Sequence, residues 1–268
     1  MTGTQKTSRQ VQEEAAAEWD RYADIWDSWT PNDRRDDAEE AADFLAELAN
    51  GGTALELGIG TGRVALPLAE RGVKVSGIDA SPGMIRKLRE KEGGDKIGIY
   101  EGNFADVDVK EDYDVIFIAL ATLFVLTTQE DQVRCFANSA AHLNPGGRLV
   151  VQNIVPDLTN YQRGRYNDFD TTAPFRVSGR LAGHPSMAWF EMNTVDPTTQ
   201  TINRTDVIVS EKGNRIIAAT MRFAWPPEQD LMGRLAGLEL EGRWGGWHQE
   251  RFTFDSLNSV SVYRKPTE

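Results

Sequence analysis

Apolar positions change rhythm twice along the chain. From Arg9 to Trp29 they recur at helical spacing, and Trp19, Tyr22, Trp26 and Trp29, at intervals of three, four and three, fall on one stripe. A second helix is predicted over Asp33–Ala49, with acidic residues in its first turns and Gly51-Gly52 as its stop. After Gly52 short apolar runs alternate with amphipathic helices. Strands are predicted over Thr53–Leu57, Val73–Ile78, Lys96–Glu101, Tyr113–Ala119 and Arg148–Asn153, and helices over Gly62–Arg71, Pro82–Lys91 and Gln129–Leu143. Nearly continuous apolar strands suit a parallel sheet covered on both faces, and the alternation predicts an open, doubly wound α/β sheet. From about Pro156 the helices give way to period-two segments around Phe175–Leu181, Met187–Thr194, Thr201–Ser210 and Arg215–Trp225, separated by turn clusters. These read as an antiparallel insertion built of hairpins. Pro226-Pro227 ends it, and a helix over Glu228–Ala236 leads to Leu238–Trp244 and a last strand, Asn258–Arg264. The expected organisation is helices over residues 1–50, an α/β core over 51–155, the β insertion over 156–226, and 227–268 completing the core.

Composition narrows the function. The 268 residues allow one globular unit with an elaboration. Lys and Arg number 29 against 41 Asp and Glu, a net charge of −12, which excludes bulk binding to nucleic acid or to an anionic membrane. Cys135 is the one cysteine, so no internal disulfide forms and a reducing compartment is expected. The longest apolar run, Val115–Leu126, falls short of the ~20 residues that span a bilayer, and Met1–Gln10 carries no apolar leader, so a cytoplasmic protein is expected.

The strongest chemical signal is Glu56-Leu57-Gly58-Ile59-Gly60-Thr61-Gly62-Arg63, a strand running into a glycine-rich turn and a helix. Glycines there permit positive φ and let a ligand approach the backbone. Nucleotide, nucleoside and phosphate binders all use such a turn, but the spacing separates them. A dinucleotide fingerprint needs Gly or Ala at position 63, where this chain has Arg63, and no lysine-bearing phosphate loop is present. Asp79 closes the second predicted strand, where a carboxylate can accept two hydrogen bonds from a ribose diol. Its bland competitor is an N-cap for the next helix, a role that Ser81 fills as well.

These residues, with Asp79-Ala80-Ser81, Gly102-Asn103-Phe104 and His142-Leu143-Asn144-Pro145-Gly146-Gly147, resemble class I S-adenosylmethionine-dependent methyltransferases. The resemblance spans roughly Tyr22 to Gln152, and the strand near Val260–Tyr263 fits it. The aromatic N-terminal helices, the insertion and the ending Leu257–Lys265 are most similar to small-molecule methyltransferases of natural-product and antibiotic pathways, the amino-sugar N,N-dimethyltransferase and cypemycin-type group. The resemblance implies S-adenosyl-L-methionine as cofactor, S-adenosyl-L-homocysteine as product, and no metal. It implies that Gly58, Gly60 and Gly62, with Arg63 beside them, hold the methionyl and ribose portion while Glu56 positions the loop. Asp79, next to Ala80, would bind the ribose hydroxyls, Met84 would pack on the adenine, and Asn103 would accept from its exocyclic nitrogen. Phe104 would offer its backbone N–H, Ala119 and Leu120 would line the sulfonium and methyl, and Tyr22 would stand near the cofactor carboxylate.

Met84 and Phe104 are equally good core residues, the aromatic stripe equally a packing face, and Arg63 equally a surface residue. The reading of the stripe as a lid rests on the need to keep water from a sulfonium. Trp26, Trp29, Tyr166 and Trp189 are expected to line the acceptor pocket, with Phe175 and Trp225 adding to a bulky, partly apolar lining. Methyl transfer needs a held nucleophile and a dry site, and a neutral amine needs no base, whereas a hydroxyl does. His184 and His248 are the weak candidates for such a base; His142, in the last turn of a helix, reads as structural. The expected function is methylation of an amine or hydroxyl of a small molecule. A peptide or protein N-methyltransferase, or a cofactor-binding protein without transfer, are the alternatives, and a homodimer is plausible by resemblance.

Overall fold

The computed structural model describes residues 16–29, 37–156, 175–181, 187–211 and 213–267; for residues 28–29, 175–181 and 187 it describes the backbone alone. Tyr166 and His184 lie outside the described residues, as does the side chain of Trp29.

Seven strands form the central sheet: β1 (Thr53–Leu57), β2 (Lys74–Asp79), β3 (Gly98–Glu101), β4 (Tyr113–Ile118), β5 (Leu143–Ile154), and, after the insertion, β10 (Glu239–Trp244) and β11 (Asn258–Arg264). Their order is β10-β11-β5-β4-β1-β2-β3, parallel from β5 to β3, with β11 antiparallel to β5 and β10 antiparallel to β11. The doubly wound sheet with antiparallel closing strands is as expected.

Alternation along each strand sorts the core into two layers. Leu55, Leu57, Ile116, Ile118, Leu149 and Val151 face α5 (Gln129–Ala141), which buries Phe136 and Cys135 on them. Ala54, Val115, Phe117 and Val150 face the other way, toward Leu45 of α2 (Ala38–Ala49), Leu68 of α3 (Ala65–Glu70) and Leu88 of α4 (Pro82–Arg89). Cys135 is fully buried and burial pushes its thiol up to about 12. Among the described residues, no helix is long and apolar enough to cross a membrane.

The insertion is a separate antiparallel sheet of β6 (Phe175–Leu181), β7 (Met187–Asp196), β8 (Thr201–Ser210) and β9 (Gly213–Arg222), in that order. A polar knot roots it in the core. Arg222 donates to Gln132 of α5 at 2.6 Å and to Glu228 of α6 (Pro226–Leu235) at 2.6 Å, while Gln132 donates to the Leu123, Leu126 and Arg222 carbonyls.

Most boundaries shift by one or two residues from the sequence reading, and three larger differences have clear causes. Helix α3 starts at Ala65 rather than Gly62, because Gly60 and Gly62 have φ of +56° and +79° and belong to the turn. Helix α5 stops at Ala141 and β5 starts at Leu143, because a register shift between Tyr113 and Val115 absorbs the turn-like Asn144–Gly147. The continuous helix expected to Trp29 breaks: residues 16–20 are helical, 21–25 are turns closed by bonds such as Tyr22 N–H to Trp19 O, and α1 (Trp26–Trp29) follows. Around this break Asp20 bonds Ser81 and Gly83 while Tyr22 bonds Asp206 of the insertion sheet.

Candidate functional site

Strand order reverses between β4 and β1, the place where an open α/β sheet leaves a crevice at its carboxyl ends. The glycine loop leaves β1 there. A side chain at Gly58 would strike Thr122, whereas among the described residues nothing stands within 4 Å of where a Cβ on Gly60 would be, so the loop leaves room for a ligand over its backbone. Asp79, at the end of β2, faces this loop. Its Oδ2 accepts from Gly60 N–H at 2.7 Å and its Oδ1 from Ser81 N–H at 2.9 Å. Burial pushes its carboxyl up, opposed by the N–H groups of Ser81, Gly60 and Ala80. Ser81 caps α4 by accepting from Met84 N–H, so Asp79 is not needed as the cap.

Glu56 is buried and its Oε2 has no hydrogen-bond partner among the described residues; burial pushes its pKa up to about 8, against the pull of Arg63. The fold therefore holds a proton that the unfolded chain releases near 4.5. This contribution to stability is full below 4.5 and is lost as pH rises through about 8. Glu56→Gln keeps the neutral shape and is expected to flatten the fall in melting temperature of the ligand-free protein between about pH 5 and pH 9. An unchanged slope would mean that Glu56 is ionised in the fold.

Asn103 Oδ1 accepts from Ala105 N–H at 3.0 Å and keeps a second lone pair, while Nδ2 is buried with no hydrogen-bond partner among the described residues, so this residue offers a free donor beside an acceptor. Phe104 and Met84 are buried, Phe104 near Gly58 and Met84 in a cluster with Tyr22, Trp189, Ile208 and Ile217. Ala119 is buried at the end of β4, and Leu120 and Ala121 follow with φ of +55° and +58°. Arg63 is not a free surface residue: it pairs with Asp37 at 2.8 Å.

The N-terminal segment closes over these elements. Asp20 accepts from Ser81 Oγ at 2.7 Å and Gly83 N–H at 2.6 Å, and Asp27 accepts from Thr61 Oγ1 at 2.6 Å and pairs with Lys91 at 2.9 Å. Asp24 stands 3.5 Å from Lys87. The sequence signal for this latch was an acidic series at spacings of four and three opposite two lysines four apart.

The aromatic stripe holds together in part: the Tyr22 ring lies 5.2 Å from Trp19, 6.3 Å from Trp26 and 6.1 Å, stacked, from Trp189 of β7. Tyr22 donates to Asp206 Oδ2 of β8 at 2.5 Å, where that fully buried carboxylate needs donors. Burial raises the Tyr22 phenol far above its ordinary range, so it stays a donor. Arg204 bonds the same oxygen at 2.9 Å and pairs with Glu191 at 3.1 Å. None of Asp206, Arg204 and Glu191 had a local sequence signal. His248 is mostly exposed and meets Glu40 at 3.0 Å; His142 lies 3.6 Å from Asp112.

A family described as a methyltransferase domain matches residues 54–147, which carry the glycine loop, Asp79 and Asn103. The CcbJ methyltransferase from Streptomyces caelestis is 37% identical and superposes with a TM-score of 0.83 over 94% of this chain and 99% of that one. The cypemycin N-terminal methyltransferase of a Streptomyces species is 28% identical over 81% of this chain and 84% of its own length. A dTDP-4-amino-2,3,4,6-tetradeoxy-D-glucose N,N-dimethyltransferase from Saccharopolyspora spinosa is 30% identical over 49% of this chain and 53% of its own. With the 37% identical CcbJ methyltransferase matched over 99% of its length and the methyltransferase domain matched over the glycine loop, the chain belongs to the S-adenosylmethionine-dependent methyltransferases.

Proposed function

We propose that the protein methylates an amine of a small natural-product intermediate, held between the N-terminal lid and the inner face of the insertion sheet. One observation carries this reading: Trp189, Arg204 and Asp206 are buried against the N-terminal segment through Tyr22, so that among the described residues the two meet without an open groove for a protein chain. Two carboxylates, Glu191 and Asp206, around one guanidinium, Arg204, favour an acceptor that brings positive charge or hydrogen-bond donors.

The residues fit the cofactor. Open space over Gly60, the unpartnered Nδ2 of Asn103 and the strand-end carboxylate of Asp79 supply a cradle, a donor for a ring nitrogen of adenine and acceptors for the ribose hydroxyls. When bound, S-adenosylmethionine supplies an electrophilic methyl group on a sulfonium. Leu120 and Ala119 shape the end of the site beyond the glycine loop, and the lid excludes water. An acceptor bound as the neutral amine asks no general base of the chain, in keeping with His248 being tied to Glu40 at the surface.

The test is to incubate the protein with methyl-labelled S-adenosylmethionine and separated small-molecule and peptide fractions of source-cell extract. Label in amine-bearing small molecules is expected. Label confined to hydroxyl oxygens would overturn the amine assignment. Label in a peptide amine would favour the second reading, to which the similarity to the cypemycin N-terminal methyltransferase lends weight.

A further inference from the structure

Asp37 occupies the N-cap position of α2, yet its side chain makes no capping bond. Its oxygens are spent elsewhere. Oδ1 accepts from Arg63 Nη1 at 2.8 Å, and Oδ2 accepts from Gln152 Nε2 at 2.7 Å and Trp247 Nε1 at 2.8 Å. One carboxylate thus joins the exit of the glycine loop, the end of β5 and the connection between β10 and β11. Arg63 and Asp37 are both well shielded, with 14% and 17% of their side chains exposed, so this is not a solvated surface pair.

The bond to Gln152 has a second consequence. With its nitrogen committed to Asp37, the Gln152 amide turns its oxygen to Leu120 N–H, which donates at 2.7 Å, and the Gln152 carbonyl accepts from Ala121 N–H at 3.1 Å. Leu120 and Ala121 hold left-handed φ values that residues with a Cβ adopt only when the surroundings impose them. Gln152, whose amide nitrogen bonds Asp37, accepts from both N–H groups of this turn.

We propose that Asp37 is a positioning residue for methyl transfer. Through Gln152 it fixes the Leu120–Ala121 turn and through Arg63 the exit of the glycine loop, and so shapes the end of the site that receives the aminobutyrate arm of S-adenosylmethionine. The proposal rests on the reading that these two segments face that arm of the cofactor. It separates the two ends of the ligand: Asp79 acts on the ribose and Asp37 on the amino-acid portion.

Two ligands distinguish these ends. S-adenosylhomocysteine carries the whole skeleton, whereas 5′-methylthioadenosine keeps the ribose, adenine and thioether but has a methyl in place of the aminobutyrate arm. Asp37→Ser supplies a good N-cap while losing the reach to Arg63, Gln152 and Trp247. Gln152→Met removes the amide at similar volume and leaves the Arg63 pair intact. In calorimetric titration, each variant is expected to weaken S-adenosylhomocysteine by about tenfold and 5′-methylthioadenosine by less than about twofold. Asp79→Ala is expected to weaken both ligands. Equal losses for the two ligands in Asp37→Ser, or no loss, would overturn the proposal. Should Asp37→Ser fail to give a cooperative melt, the same comparison in Gln152→Met decides. Unchanged affinity for both ligands in Asp79→Ala would overturn the underlying placement of the cofactor instead.

Discussion

Asp79→Ala is expected to weaken S-adenosylhomocysteine binding by ~2–3 kcal/mol, about 30- to 150-fold, while the protein still melts as one cooperative unit. The carboxylate already accepts from Gly60 and Ser81 N–H groups, so it is fixed in orientation before any ribose arrives. A hydroxyl pair meeting a fixed carboxylate gains charge-assisted bonds without ordering a side chain, which is why the loss should fall in binding rather than in folding. Gly60 and Ser81 sit at a loop and a helix start, and water can replace the lost acceptor in the free variant. Calorimetric titration at constant pH measures the effect. Wild-type affinity in the variant would show that the ribose lies elsewhere.

Removal of residues 1–29 is expected to lower methyl transfer at least about a hundredfold and leave the central sheet folded. The described part of this segment contributes Tyr22 and Ala23 to a small cluster with Met84, Trp189, Ile208 and Ile217, outside the two large layers that hold the sheet. Its polar contacts reach the loop at Thr61, the α4 start at Ser81 and Gly83, and the insertion at Asp206. Without it, the site loses its cover and Asp206 its phenol donor, but no strand pairing is touched. Circular dichroism melting and transfer of labelled methyl separate the two outcomes. A double variant, Asp20→Ala with Asp27→Ala, keeps the apolar contacts and is expected to show a smaller loss in the same direction. Full activity in the truncated chain would end the reading of this segment as a lid.

The fold was legible wherever burial left a periodic mark. Thr53–Leu57, Thr201–Ser210 and Asn258–Arg264 coincide with their predicted strands, because buried parallel and half-buried antiparallel strands carry distinct apolar patterns. The glycine loop and Asp79 were legible because the backbone itself needs glycines there and the carboxylate ends a strand. The longer extent of β5 was hidden by Pro145, Gly146 and Gly147, which spell a turn locally but are carried in a bulged pair with β4. The partners of Asp37, Asp206 and Asp20 were hidden for another reason. Each lies in a distant segment, as Tyr22 lies from Asp206, and no local period records a hydrogen bond that only the tertiary fold creates. Asn103 shows the limit within a motif: its position was legible, but the direction of its amide is set by Ala105 N–H.

The burial of Cys135 has a practical consequence for following the N-terminal segment. A thiol held in its protonated form inside the core does not react with maleimides at neutral pH, so the native chain is a silent background for site-specific labelling. A cysteine introduced at the exposed Ala17 would then carry the only fluorophore, and its emission would track that strap as the cofactor enters and the product leaves.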